Sequence, residues 1–313
     1  MTAQDSATRP STIAVAPTAQ PTARPAGATQ AAGTLQAMLG VIAFSLTFPG
    51  TAWGLEGFGP WSLVSLRLLL AAVIAGGCLL ALRIPLPDRR HRAGLAVVAA
   101  GVVLGFPMLT TLALQTSTTS HAAVVVGLLP LTTAALSALR TGARPSRAFW
   151  VAASAGAGAV IAFTISQSGG ALSKADLYLF AALLVCAAGY TEGGRLAKVM
   201  PGWQVIGWAL VLCLPLSAVG AVLALQVEPA QLTGHSVVGV LWLAVGSQFV
   251  GLVVWYRGMA SIGIPKASQL QLAQPLLTLV WSVGLLGEEL PVAAPLTAAA
   301  VLVCIAVTQR SRS

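Results

Sequence analysis

The chain has 313 residues, of which 57% are hydrophobic and only 8% charged; 17 Lys and Arg stand against 8 Asp and Glu, a net charge of +9. A soluble fold of this size could not cover its surface with so few charges. The composition therefore excludes a cytosolic globular enzyme, a disordered protein and a nucleic-acid binder, and the basic excess has to be read by its position along a membrane chain.

Residues 1–33 are rich in Ala, Thr, Pro and Gln, and Pro10, Pro17, Pro21 and Pro25 interrupt any helix. No apolar stretch of a signal peptide is present, so this segment is predicted to be a disordered cytoplasmic tail. From residue 34 onward the chain alternates apolar runs with short polar breaks. A membrane span needs about 20 residues, and ten runs qualify: near 35–53, 60–82, 93–114, 119–139, 147–166, 176–196, 203–225, 236–257, 265–286 and 292–308. They lack the alternating pattern of barrel strands, so an all-α integral membrane fold is predicted. Gly101 and Gly105 in the third run, and Ala152, Gly156 and Gly158 in the fifth, predict close helix approach. The four cysteines (Cys78, Cys186, Cys213, Cys304) lie far apart in apolar runs and suggest neither a disulfide framework nor a metal site.

Placing the N-terminus inside puts 15 of the 17 basic residues on the cytoplasmic side. Lys174 alone falls outside, and Arg67 falls within the second span; Glu56, Asp176, Glu228, Glu288 and Glu289 fall outside. This asymmetry predicts both termini in the cytoplasm of a cell whose cytoplasmic membrane the chain crosses.

The fourth and ninth spans share a proline motif. Gly127-Leu128-Leu129-Pro130-Leu131-Thr132-Thr133 parallels Leu272-Ala273-Gln274-Pro275-Leu276-Leu277-Thr278 at an offset of 145, and Gly142 then falls on Gly287. Pro60-Trp61 has a counterpart in Pro201-Gly202-Trp203. The reading is two five-helix repeats, 34–170 and 171–313, and five being odd, the second is inverted. Inverted repeats point to a secondary transporter with its solute site near the midplane.

At these residues the chain resembles the drug/metabolite transporter superfamily, EamA type. The resemblance rests on Ser65-Leu66-Arg67-Leu68-Leu69-Leu70-Ala71-Ala72, on the Pro130 and Pro275 helices, and on Leu286-Gly287-Glu288-Glu289-Leu290. It covers about 35–308 and implies ten helices in two inverted halves, with export of amino acids or related metabolites. The first half departs from the family's Leu-Gly-Glu after its proline helix, having Thr141-Gly142-Ala143-Arg144 instead.

Arg67 is the foremost candidate for the solute path. It lies seven residues past Pro60, about 10 Å along the helix, where a charge costs a few kcal/mol or more unless paired or hydrated. It reads as a substrate anchor or a gate pairing with a carboxylate, or as a structural arginine reaching the interface. Glu192 reads as a titrating cavity residue that couples transport to protons, or as the i,i+3 partner of Arg195. Gln271 and Gln274 share a face beside Pro275, whose missing N–H frees a carbonyl one turn back; they suit a solute path or interhelical hydrogen bonds. Phe48, Trp53, Tyr190, Trp255 and Tyr256 lie near span ends, where aromatic belts form; Trp53 and Tyr190 fall close together in the repeat alignment and are candidates to line the cavity. His121 reads as a solvated end residue or a proton relay. Pro49, Pro107 and Pro215 mark places where helices bend.

The sequence has no Walker A, HExxH or GxSxG motif, no voltage-sensor arginine series and no potassium-filter sequence. No cofactor or metal is expected. The leading expectation is a secondary transporter of small, not strongly charged metabolites, working as an exporter by alternating access, with the lipid bilayer as surroundings and protons as a candidate coupling ion. An integral-membrane transferase and a passive channel are the alternatives. Oligomeric state is left open.

Overall fold

The computed structural model describes residues 26–141, 146–167, 169–228, 230–262 and 270–310. Expectations resting on Arg9, Arg24, Gly142, Ala143, Arg144, Lys266 and Arg312 lie outside them. The described chain is helical, without a strand. Eight helices are long and apolar enough to cross a membrane: α1 (Gln30–Leu55), α2 (Pro60–Ala81), α3 (Arg89–Ala113), α4 (Thr119–Arg140), α5 (Arg147–Gln167), α6 (Lys174–Leu196), α7 (Gly202–Val227) and α8 (Gly234–Gly258). Two further apolar helices, α9 (Ala273–Leu286) and α10 (Ala293–Arg310), are shorter. The ninth run was expected to begin near 265; residues 263–269 are outside the description.

The helix leading into α1 starts at Ala26, inside the segment expected to be tail. The run Ala26–Ala32 contains three alanines beyond its first and one glutamine, which favour helix.

Local chemistry sets the helix ends. Pro60 occupies the first turn of α2. Ser173 and Asp176 cap α6 reciprocally, as Thr233 and Ser236 cap α8. Gly287 adopts φ +65 after α9, and the amides of Gly287 and Glu288 return to the carbonyls of Val283 and Ser282, both at 3.0 Å. That turn closes α9 and aims Glu288 at its neighbour.

Several interior irregularities lie ahead of prolines. A proline has no N–H for the carbonyl four residues back. Ahead of Pro49 the α1 backbone is interrupted at Leu46, and the carbonyl of Ser45 accepts the Thr278 hydroxyl of α9 at 2.9 Å. Ahead of Pro107, α3 widens into a π-helical segment, Ala99–Gly105. A second such segment, Trp242–Gly251, lies within α8. Helix α4 turns at Gly127 and Leu128 ahead of Pro130, and α9 turns at Leu272 ahead of Pro275. Pro215 sits inside an otherwise continuous α7.

The principal helix pairs are α1 with α8, α3 with α6, α2 with α7, α5 with α10, α4 with α6, α2 with α8, α3 with α7, α1 with α9 and α4 with α9. Exchanging each helix with the one five later leaves this set of pairs unchanged. Glycines allow the closest approaches: a methyl on Gly101 would stand 2.2 Å from the Val185 carbonyl oxygen, and one on Gly258 would stand 2.4 Å from the Ala37 amide nitrogen. Gly156 packs near Cys304, whereas Gly158 meets nothing within 4 Å. Leu212, Leu216, Val219 and Leu223 of α7 point outward, a face suited to hydrocarbon.

Candidate functional site

At mid-depth the helices leave a cavity of about 50 Å³, room for a few water molecules. Its wall takes Phe44, Thr47 and Phe48 from α1, Arg67 from α2, Phe106 from α3, Leu129 from α4, Cys186 and Tyr190 from α6, Ser247, Gln248 and Leu252 from α8, and Gln274 from α9. A second space opens beside it where α4 and α9 cross at their turns. It is lined by Gly127, Pro130, Gln271 and Pro275, and shares Phe48, Leu129 and Gln274 with the first. The turns touch there: a methyl on Gly127 would meet Pro275 Cγ at 3.3 Å.

Arg67 is 2% exposed. Its Nη2 donates to Oε1 of Gln248 at 2.9 Å, and Gln248 in turn donates from Nε2 to the Val103 carbonyl at 3.5 Å. Val103 lies four residues before Pro107 and within the π-helical segment of α3, while Gln248 lies within that of α8. Arg67 Nε and Nη1 have no acceptor among the described residues. The carboxylate expected for a gating pair is not there; a neutral amide takes its place, because the acidic side chains are gathered at the helix ends. Beside this chain of hydrogen bonds, the hydroxyls of Thr47 and Ser247 meet at 2.7 Å.

Of the other expected site residues, Tyr190 and Gln274 line the central cavity and Gln271 lines the adjoining one with Pro130 and Pro275. Glu192 is not among the cavity-lining residues. It is buried near the end of α6, where it accepts from Arg195 Nε at 2.9 Å and Arg140 Nη2 at 3.2 Å, with a further short contact to Arg195 Nη2. Two cations flank this carboxylate, outside the lining of the central cavity. Trp53 lies at the opposite end of the bundle, stacked on His235 with ring centroids 5.1 Å apart, so it does not join Tyr190. His121 is not a solvated end residue: its Nε2 meets Asp176 at 2.6 Å, and its ring stacks on Phe163. Trp255 and Tyr256 are buried between helices rather than placed in an aromatic belt, and Phe48 faces the cavity.

Gln248 and Ser247 are the contributors that sequence reasoning passed over. The signal was present, since they are adjacent polar residues in an apolar run.

At the end where α1, α7 and α9 finish, carboxylates tie connections to helix starts. Glu228 accepts from the amides of Ser62 at 2.8 Å and Trp61 at 3.4 Å. Glu288 accepts from those of Thr119 and Ser120. Glu56 meets His235 at 3.0 Å, and Gly57 accepts from the Gln231 amide at 2.7 Å. Among the described residues, no group of His, Cys, Asp and Glu could hold a metal ion.

A bundle of apolar helices enclosing a small polar space at mid-depth defines a multi-pass membrane protein built like a solute carrier. Comparison with known proteins carries this further. The model of the EamA-like transporter family matches the chain twice, over residues 31–165 and 173–309, and the chain belongs to that family, within the drug/metabolite transporter superfamily. It is 41% identical over 281 residues to the uncharacterized transporter YdeK of Bacillus subtilis (strain 168), covering 89% of this chain and 97% of that one. A solved structure, described only as the crystal structure of a protein, shares the fold with a TM-score of 0.61 at 20% identity, covering 88% of this chain and 97% of the other.

Proposed function

We propose that this transporter is a secondary carrier that exports small metabolites, amino-acid-like or otherwise not strongly charged, across the cytoplasmic membrane by alternating access. The observation that carries the reading is the mid-depth cavity, which draws its wall from both family-matched segments. Carriers built from paired repeats hold their solute at such an interface.

Residues 34–170 and 171–313 are read as the two inverted repeats, ten spans in all, with both termini in the cytoplasm. The helix pairs, unchanged by a shift of five helices, support this, as do the matching turns ahead of Pro130 and Pro275. Arg67, Tyr190, Gln271 and Gln274 are read as pathway residues. Trp53 and Glu192 are read as closing elements at the outer and inner ends. The ties made by Glu56, Asp176, Glu228 and Glu288 each join one matched segment to the other, which suits an outer closure that must open once per cycle.

The test is counterflow in proteoliposomes preloaded with pooled amino acids and other small metabolites, with and without a pH gradient. Saturable accelerated exchange of one pool is expected, and its response to the gradient decides whether protons are the coupling ion. Non-saturable flux with measurable conductance would instead assign a channel.

A further inference from the structure

We propose that Arg67 and Gln248 form a site for a single anionic group, and that the solute this carrier takes is a small monocarboxylate with an apolar body. The proposal rests on reading the central cavity as the solute site and narrows what that site accepts.

Three observations carry it. First, Arg67 brings a full positive charge to the cavity wall, and among the described residues its head group donates to a neutral amide. Nε and Nη1 are buried without acceptors. Buried N–H groups are ordinarily satisfied; Nε and Nη1 lie on different edges of the guanidinium, so a carboxylate would pair with one of them together with the second N–H of Nη2. Second, Gln248 is itself held. Its Nε2 donates to Val103, a carbonyl four residues ahead of Pro107, which leaves Oε1 turned to Arg67. Gln248 is therefore a positioning residue: it holds the guanidinium in place without neutralising it. Third, the surroundings select against a second charge. Among the described residues Arg67 is the single charged one in this wall, and Phe44, Phe48, Phe106 and Leu252 give it apolar parts. A second carboxylate would be desolvated there with no cation to meet it, whereas an apolar body carries no such penalty once the cavity, here sized for a few water molecules, widens to take it.

Binding is tested on the purified full chain in detergent by titration calorimetry, using phenylacetate, its neutral amide phenylacetamide, and the dicarboxylate succinate. Phenylacetate is expected to bind saturably, with the amide and succinate each at least about tenfold weaker. Arg67→Gln should abolish phenylacetate binding. Gln248→Glu is the sharper variant, because it keeps the size of the side chain and offers Arg67 an internal carboxylate. It should leave the protein folded, the ion pair with Arg67 offsetting the lost donation to the Val103 carbonyl, yet lose phenylacetate binding. Equal binding of acid and amide, or full phenylacetate binding by Gln248→Glu, overturns the proposal.

Counterflow separates this from the carrier reading. Exchange of neutral solutes without any carboxylate binding overturns the anion site and leaves the carrier standing. Carboxylate binding without exchange of any pool supports the site and removes the carrier.

Discussion

Glu288 caps a helix it does not belong to: its Oε1 accepts from the Thr119 amide at 2.8 Å and its Oε2 from the Ser120 amide at 3.0 Å. The Thr119 hydroxyl also donates to Oε1 at 2.8 Å. The first amides of α4 have no partner within their own helix, and a carboxylate meets both their hydrogen-bonding need and the helix dipole. Glu288→Ala is therefore expected to lower stability by about 1–2 kcal/mol, measured by unfolding in mixed micelles. Glu289→Ala, next door and exposed, should change it by less than about 0.5 kcal/mol. Equal effects of the two would remove the capping role.

Glu192 belongs to the end of α6, not to the cavity. Arg140 is 63% exposed in this pair, so Arg140→Ala should cost less than about 1 kcal/mol. Glu192→Gln keeps the shape and removes the charge that binds two arginines. Its expected signature is an unchanged KM with an altered maximal exchange rate, since closure at that end changes and the solute wall does not. A large rise in KM would return Glu192 to the cavity.

Gly101 sets the spacing of α3 and α6. An alanine there would put a methyl 2.2 Å from the Val185 carbonyl oxygen, which is backbone and cannot step aside alone. Gly101→Ala should destabilise by about 1–3 kcal/mol, as overpacking does. Gly158→Ala, with nothing within 4 Å, should be neutral or slightly stabilising in mid-helix. Folded yield and melting of the purified variants check both.

Cys186 provides a native reporter. It is buried in the wall of the central cavity. In a variant with Cys78, Cys213 and Cys304 changed to Ser, a small maleimide should modify Cys186 only as the cavity opens, and saturating solute should slow the reaction. Labelling at a rate indifferent to solute would move the pathway elsewhere.

Much of the architecture was legible because the bilayer imposes a simple grammar of length and hydropathy. The turns at Gly127–Leu128 and Leu272 follow from prolines visible in the chain, and close packing at Gly101 from its neighbours' size. The start at Ala26 was missed because proline content outweighed a short alanine-rich run. The site was less legible. Arg67 stood out as an isolated charge, but its partner lies 181 positions away, and no local pattern pairs an arginine with a glutamine on another helix. Glu192 shows the reverse: its spacing to Arg195 was readable, whereas Arg140, 52 positions before it, is brought in only by the packing of α4 on α6.

The neutrality of Arg67's partner bears on what the membrane must keep apart. A fixed positive charge in the wall of a pathway is an electrostatic barrier to other cations. Protein-bearing vesicles should hold a potassium or proton gradient as well as empty ones, and Arg67→Gln should make them leak. On the proposed carrier reading the guanidinium would act as an insulator, protecting the cell's ion gradients from a protein whose work requires an opening through the bilayer.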